Sequence, residues 1–309
     1  MKTLLKKPTI LEFAVGLIIS IVKSFINRHK SEEPLKVGKY KLVYSVNKEN
    51  LFREYSIGIY KYKNKKVFIK SWSGLVRDFE YHELVNEYFV SKALYKILKS
   101  HEYIRTQKVI GYIEQKKSFS IIYEFIDAKS LSSFSKEKQI RTLSDVLSFF
   151  NNYSTEFVNK NDRFFSKRTL RYYIPAITFL SILTILSDLR SFKVVLRGYF
   201  DFLRLVKSIK DSNLRLAHRD LSLHNILVKG KYVFLLDCAR VVLTYKDYDI
   251  AYICFNLRNK KIAKEIARAF NYSVNPFLEN YILINQARSF GNPIGFKNIY
   301  LQRLYEKYR

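Results

Sequence analysis

The sequence HRDLSLHNILVKGKYVFLLD occupies residues 218–237. Apolar runs on both sides of Lys229-Gly230-Lys231 predict a strand, a tight turn and a second strand. Such a hairpin returns its end to its start, so Asp237 is expected beside Asn225. A carboxylate and an amide oxygen suit a hard cation that keeps several water ligands. The stretch therefore predicts a divalent-cation site at Asn225 and Asp237.

The chain around this stretch predicts an α+β fold in two parts. Alternating apolar and polar residues predict strands at 40–44, 55–62, 67–71, 107–114 and 119–125, with one helix near 84–99. Longer helical patterns follow at 143–159, 173–189, 192–210 and 250–271. We therefore expect a small mixed β-sheet lobe with one helix at residues 35–126 and a larger, mainly α-helical lobe at 127–309.

Residues 1–34 differ from the rest of the chain. An apolar run from Phe13 to Val22 is preceded by Lys6 and Lys7 and followed by further basic residues. The run is about half of the ~20 residues that a spanning helix needs. Two readings remain open, a helix lying on an anionic membrane surface and a helix packed on the protein itself.

The loop at 218–225 matches the pattern H-R-D-L-x-x-x-N, which is the catalytic-loop signature of protein kinases. The chain thus resembles the protein-kinase-like superfamily, which implies a bilobal kinase-like fold over residues 36–309. The resemblance implies Asp220 as the catalytic carboxylate, with His218 and Arg219 beside it in the loop. It also implies Asn225 and Asp237 as Mg²⁺ ligands next to the phosphates of ATP.

The same resemblance implies a phosphate-binding lysine on the third strand and a glutamate partner on the following helix. Lys70 ends the apolar strand pattern Val67-Phe68-Ile69. Glu87 is the preferred partner because Val90 and Leu94 follow it at core-facing spacing, and Glu83 is the second choice. The backbone of Glu124 and Ile126 would hydrogen-bond adenine where a strand leads into the interlobe hinge. ATP and Mg²⁺ are the implied cofactors.

Several features depart from the eukaryotic protein kinases. Asp237 is followed by Cys238-Ala239-Arg240 rather than Phe-Gly, no Ala-Pro-Glu follows, and the segment at 55–60 holds a single glycine. The spacing of Asp237 and Arg240 resembles the bacterial lipopolysaccharide core kinases that phosphorylate heptose or Kdo. Aminoglycoside and choline phosphotransferases are similar in layout, although they usually have glycine in place of Arg219.

The charge and the cysteine content indicate the kind of partner and the cellular location. The chain has 55 Lys and Arg against 27 Asp and Glu, a net charge of +28, which favours a polyanionic partner. Cys238 and Cys254 have no metal-ligand or thioredoxin-like spacing, which indicates a reducing cytoplasm. We expect a membrane-associated location at the inner face of the plasma membrane. The lack of an aromatic-rich RNA motif argues against nucleic acid.

Three functions follow from these residues. The first is a sugar kinase of lipopolysaccharide biosynthesis, which phosphorylates a hydroxyl of an anionic glycolipid. The second is an atypical Ser/Thr kinase or an aminoglycoside- or choline-type small-molecule kinase. The third is a non-catalytic kinase-like binding protein. The presence of Lys70, Asp220, Asn225 and Asp237 argues against it, because non-catalytic relatives normally lose a metal or phosphate ligand. No sequence motif indicates which acceptor is used or which oligomeric state the protein has.

Overall fold

The computed structural model describes residues 5–26, 34–46, 55–153, 164–207, 209, 214–257, 259–273, 275–287 and 299–308. The strands are β1 Lys36–Val37, β2 Tyr40–Ser45, β3 Tyr55–Tyr62, β4 Lys65–Ser73, β5 Ile104–Thr106, β6 Val109–Gln115, β7 Ser118–Glu124, β8 Lys129–Ser130, β9 Leu214–Ala217, β10 Ile226–Lys229, β11 Tyr232–Leu235 and β12 Val242–Tyr245. The helices are α1 Ile10–Ile26, α2 Phe79–Leu98, α3 Lys136–Asn152, α4 Leu170–Ser187, α5 Phe192–Val206, α6 Tyr248–Asn256, α7 Lys260–Ala269, α8 Pro276–Ala287 and α9 Ile299–Tyr308.

The α+β class predicted from the sequence is confirmed, and one predicted element needs correction. The pattern at 250–271 forms two helices, α6 and α7. The Asn259 side chain accepts the backbone N–H groups of Lys261 and Ile262, which caps the start of α7. An N-cap of this kind favours a helix start at that position, so the pattern does not continue as one helix. Residues 154–159 of the predicted helix 143–159 lie outside the described residues.

The chain divides into two compact units, of which the first holds residues 1–130 and 225–240. Its main sheet has the antiparallel order β1-β2-β3-β4-β7-β6. α2 begins at Phe79 because the Asp78 side chain accepts the N–H of Tyr81 and also the indole N–H of Trp72, at 3.1 and 2.7 Å. This double acceptor fixes the start of α2 against the end of β4.

The hairpin predicted at 226–236 forms β10 and β11 and lies in a second sheet of this unit. β11 pairs in parallel with β5, and β10 pairs antiparallel with β8. The backbone N–H of Leu236 donates to the carbonyl of Asn225 at 2.9 Å. The hairpin thereby brings the residue before β10 next to the residues after β11.

The N-terminal helix α1 packs on α2 in the same unit. Thr9 and Glu12 form a reciprocal cap, in which each side chain accepts the backbone N–H of the other. A Cβ at Gly16 would lie 2.9 Å from backbone atoms of Asp78 and Phe79, so the glycine allows the two helices to approach closely. The opposite face of α1 is apolar and exposed: Ile10, Leu11, Val15 and Ile18. One face of α1 therefore packs on the protein, and the other leaves an apolar surface open.

The second unit holds residues 131–224 and 241–309. Its helices α3 to α9 accompany a two-stranded antiparallel sheet of β9 and β12. Aromatic side chains fill its core, with Phe202 stacked on Phe277 and Tyr173 edge-on to Tyr281. Each fully buried side chain of this size contributes about 1.5–3 kcal/mol. None of the described helices is both long and apolar enough to cross a membrane.

Candidate active site

In the first unit, Lys70 lies on the central strand β4 and bonds two carboxylates. Its ammonium nitrogen lies 2.6 Å from Glu87 Oε2 and 3.1 Å from Asp237 Oδ1. The Lys70 and Glu87 side chains are only 5% and 4% exposed, whereas that of Asp237 is 24% exposed. Glu83, the second choice from the sequence, instead accepts Arg240 at 3.3 Å. The lysine and glutamate that the resemblance pairs are thus adjacent.

Glu87 is held by a second donor. The hydroxyl of Tyr123, on β7, donates to Glu87 Oε1 at 2.9 Å. Burial raises the pKa of Glu87, while the positive charge of Lys70 lowers it. Burial also raises the pKa of Tyr123 well above its usual value, so the phenol keeps its proton and acts as a donor. Both oxygens of Glu87 are therefore occupied, which fixes the position of the Lys70 ammonium group.

Asp237 and Asn225 line the same pocket as Lys70 and Glu87. The backbone of Asp237 is left-handed, with φ of +53°, and the chain then turns into a short 3₁₀ segment. One carboxylate and one amide oxygen fit Mg²⁺, which binds few protein ligands and takes the rest from water and phosphate. Among the described residues, no group of three or more His, Cys, Asp or Glu side chains is arranged to hold a metal. The donor set therefore fits a cation shared with a phosphate ligand.

The end of β7 carries the two residues predicted to bind adenine. The N–H of Glu124 donates to the carbonyl of Lys108 at 2.9 Å, and its carbonyl accepts the side chain of Gln107 at 2.9 Å. The N–H of Glu124 is thus used within the protein. Ile126, two residues later, is half-buried and follows the end of the strand.

In the second unit, Asp249 holds the start of the loop at 218–220. Its carboxylate accepts the N–H of His218 at 2.7 Å and the N–H of Arg219 at 2.8 Å. Arg219 has φ of +66°, a left-handed conformation that is costly for a residue with a side chain. These two hydrogen bonds, one buried and one partly buried, stabilise this conformation. Burial raises the pKa of Asp249, and the same bonds oppose the rise.

The other loop residues have different surroundings. The His218 ring is fully buried and lies edge-on to Phe150, so its position is that of a structural support. Asp220 is partly exposed, and its Oδ1 accepts the hydroxyl of Tyr252 at 2.9 Å. Asp220 is the one carboxylate in the sequence of residues 218–225.

A cluster around Arg219 was not predicted from the sequence. Arg219 Nη2 lies 3.5 Å from the hydroxyl of Tyr281, and the guanidinium faces the ring of Tyr248. Arg168 stacks on Tyr172, with Cζ 3.5 Å from the ring centre. These residues are scattered from position 168 to 281, so no local spacing could have indicated them.

No known family profile matches the sequence, and no curated protein sequence matches it. Many solved structures are nevertheless similar. A thermostable mutant of the aminoglycoside phosphotransferase APH(4)-Ia, solved with ADP and hygromycin B, has a TM-score of 0.65 at 12% identity, over 88% of this chain and 94% of that one. A candidate fructosamine-3-kinase from Haemophilus somnus has a TM-score of 0.58 at 11% identity, over 96% and 99%.

A choline kinase from Cryptosporidium parvum is also similar, with a TM-score of 0.52 at 12% identity over 94% and 93% of the two chains. These structures share the protein-kinase-like fold, so the fold of this chain is of that class. At such identities the likeness establishes the fold and leaves the acceptor to be argued from this chain's own residues.

Proposed function

We propose that the protein is an ATP-dependent phosphotransferase that phosphorylates a hydroxyl of a lipopolysaccharide core sugar, heptose or Kdo. The observation that carries this proposal is the buried contact of Lys70 with Glu87 and Asp237 in a pocket that Asn225 also lines. A buried lysine fixed by one carboxylate, beside two oxygen ligands for a cation, suits the phosphates of a nucleotide.

Each residue then has a defined part in the reaction. Lys70 binds the α- and β-phosphates, and Glu87 fixes Lys70. Asn225 and Asp237 supply oxygen ligands to Mg²⁺, which when bound neutralises charge on the phosphates. The acceptor hydroxyl forms a bond to the γ-phosphorus, the bond from that phosphorus to the β–γ bridging oxygen breaks, and ADP leaves. Asp220 orients the acceptor hydroxyl and takes its proton.

The backbone after β7 is proposed to bind adenine, and the described contacts favour Ile126 over Glu124 for the donor. Glu124 already uses its N–H inside the unit, whereas its carbonyl has a second lone pair besides the one that Gln107 occupies. His218 and Arg219 are proposed to position Asp220, since His218 is buried and Asp249 fixes the backbone of both.

Charge supports an anionic acceptor. The chain carries a net charge of +28, which attracts anionic glycolipid and repels cations. Aminoglycosides and choline are cations, so a chain with this charge is poorly suited to them. An acceptor of lipopolysaccharide core, rich in phosphate and carboxylate groups, is better matched.

Two exposed apolar faces support docking on the inner face of the plasma membrane. The first is the outer face of α1. The second lies on α4 and the start of α5 in the other unit: Phe179, Ile182, Leu186, Leu189 and Phe192. Basic residues dominate the sequence around it: Arg171, Arg190, Lys193, Arg197, Arg204 and Lys207, against Asp188 and Asp201. Apolar side chains with basic neighbours suit an anionic lipid surface.

Vesicle binding tests the membrane part of this proposal. We expect the protein to sediment with vesicles that contain phosphatidylglycerol and much less with pure phosphatidylcholine. The double variant Ile182→Glu and Leu186→Glu should reduce binding about ten-fold or more, because charged side chains replace apolar ones at the lipid contact. Ile110→Glu, an exposed apolar site on β6, is the matched control. Equal binding by all variants would contradict docking through this face.

An acceptor panel tests the substrate class. The protein, Mg²⁺ and γ-labelled ATP are incubated with dephosphorylated lipopolysaccharide core, with an aminoglycoside and with a generic protein mixture. We expect label on the core glycolipid. Label on the aminoglycoside or on protein alone would contradict the glycolipid and assign the acceptor to one of the alternative classes.

A further inference from the structure

The two arginines near the loop of the second unit share one group of tyrosines. Arg168 stacks on Tyr172, and the Tyr172 hydroxyl interacts with both Arg219 and Tyr281. Tyr248 and Tyr281 are buried, at 2% and 1% exposure, whereas Arg168, Tyr172 and Arg219 are partly exposed. The cluster has a buried aromatic base, and its two positively charged side chains keep partial solvent exposure.

Among the residues that the structure describes, no carboxylate lies within salt-bridge distance of Arg168 or Arg219. Their Nε atoms are both buried without a hydrogen-bond acceptor. Asp249, an acidic neighbour, already accepts two backbone N–H groups. Two like charges held together without a counterion are unfavourable, and an anion would satisfy both.

The tyrosine between the arginines reports the same electrostatic preference. Burial raises the pKa of Tyr172, but the positive charges of Arg168 and Arg219 outweigh that effect and lower the pKa below its ordinary value. Burial and the neighbouring charge of Arg219 also lower the pKa of Arg168. The site thus favours a negative charge in its vicinity.

The site lies close to Asp220 within the second unit. The N–H of Arg168 donates to the carbonyl of Leu243 at 2.7 Å, and Leu243 pairs with Leu216 on the strand that leads into the loop. On α6, Tyr248 faces Arg219, and Tyr252, one turn later, donates to Asp220. Asp220 and the arginine pair are therefore held by the same elements of the second unit.

We propose that Arg168 and Arg219, with Tyr172, bind an anionic substituent of the acceptor sugar, a carboxylate or a phosphate, while its hydroxyl is presented to Asp220. This assignment rests on the proposed phosphotransferase function. Guanidinium groups match carboxylate and phosphate because their planar N–H donors bond two oxygens at once. The nucleotide phosphates belong to the separate Lys70 pocket of the first unit.

Kinetics with matched acceptors test this site. The acceptor is a Kdo-containing core fragment, used with its carboxylate free or as the methyl ester. We expect Arg168→Gln to raise the KM for the free acid by about 10- to 100-fold, the size of a lost charged hydrogen bond, and to leave the KM for ATP unchanged. The ester should bind weakly to the wild type and lose little in the variant. An equal loss for acid and ester, or a changed KM for ATP, would overturn the assignment.

A binding measurement tests the site even without turnover. Inorganic phosphate should raise the Tm of the wild type more than NaCl of equal ionic strength, and Arg168→Gln should abolish that difference. Lys264→Gln, at an exposed position of α7 in the same unit, is the control that should keep it. Arg168→Lys keeps the positive charge and is measured in place of Arg168→Gln if that variant does not fold. No phosphate effect in the wild type would overturn the site, as would phosphate that binds without competing with the acidic acceptor. If the wild type binds phosphate at this site but transfers no phosphate from ATP to the acceptor, the proposed phosphotransferase function is refuted rather than the site.

Discussion

Replacing Glu87 with glutamine removes the charge that fixes Lys70. Lys70 Nζ lies 2.6 Å from Glu87, and both side chains are at most 5% exposed. Removing one partner of a buried ion pair typically costs about 3–5 kcal/mol. Asp237, at 3.1 Å from the same nitrogen, remains as a second carboxylate. We therefore expect a smaller loss, about 2–3 kcal/mol in the free energy of unfolding.

The same change should weaken nucleotide binding. In glutamine an NH2 donor replaces one of the two carboxylate oxygens, so Lys70 and the Tyr123 hydroxyl no longer each face an acceptor oxygen. The ammonium group is then expected to shift toward Asp237 and away from the phosphate position. A loss of about 1.4 kcal/mol in binding corresponds to a ten-fold weaker Kd for Mg-ATP. Urea unfolding followed by circular dichroism measures the first effect, and titration with a fluorescent ATP analogue measures the second.

Glu83→Gln is the matched control, one turn earlier on the same helix. Glu83 bonds Arg240, whose side chain is 44% exposed, at 3.3 Å. Such a pair contributes up to about 1 kcal/mol, so the control should change stability little and leave Mg-ATP affinity intact. Equal effects of the two substitutions on both measurements would refute the role given to Glu87.

Three further predictions concern other contacts. Tyr252→Phe should lower kcat about 2- to 10-fold without changing the Kd for ATP, because it removes one hydrogen bond to the Asp220 carboxylate; an unchanged kcat would show that this bond does not position Asp220. Gly58→Ala should destabilise the protein by about 1–3 kcal/mol in urea unfolding, because its Cβ would lie 2.8 Å from Leu42 Cδ1 and 3.3 Å from the carbonyl of Tyr44. Unchanged stability would mean that β2 moves to accommodate the methyl group at no cost. Burial lowers the pKa of His82 below 6.5, and this effect exceeds the opposite effect of Glu12. The folded state therefore binds fewer protons than the unfolded state, and the protein loses stability as the pH falls from about 6.5 through the lowered pKa of His82. His82 packs against Phe13 of α1, with the ring centres 6.0 Å apart. The protection factors of the α1 amides, which correct exchange rates for their intrinsic pH dependence, should therefore fall in acid in the wild type and fall less in His82→Gln, whereas an identical pH response in both would exclude His82 as the cause.

Much of the fold could be predicted because its signals are local. The strands around Lys70 alternate, and the turn at Lys229-Gly230-Lys231 contains a glycine with φ of +57°. The choice between Glu83 and Glu87 depended on which helix face is buried. Val90 and Leu94, at core-facing spacing after Glu87, indicated that face, and both are buried in the structure.

Other features depend on contacts between distant segments. The parallel pairing of β11 with β5 joins residues more than a hundred positions apart, and neither strand carries a pattern that names its partner. The hydrogen bond from the Glu124 N–H to the carbonyl of Lys108 likewise depends on the tertiary structure. Arg168 reaches the loop region through its backbone bond to Leu243, so its placement follows from sheet pairing and not from its own neighbours. For α1, composition indicated an apolar helix, but only the close approach at Gly16 decides which face packs.

The most direct test of the central claim is Mg²⁺-dependent transfer of labelled γ-phosphate from ATP to dephosphorylated lipopolysaccharide core. It compares the wild type with Asp220→Ala and Lys70→Met, and Lys65→Met serves as the control for an exposed lysine on the same strand. We predict transfer by the wild type and by Lys65→Met, with a loss of about 100-fold or more in the other two variants. Transfer that persists in Asp220→Ala and Lys70→Met, or ATP consumption that is the same in all four proteins, would contradict the account.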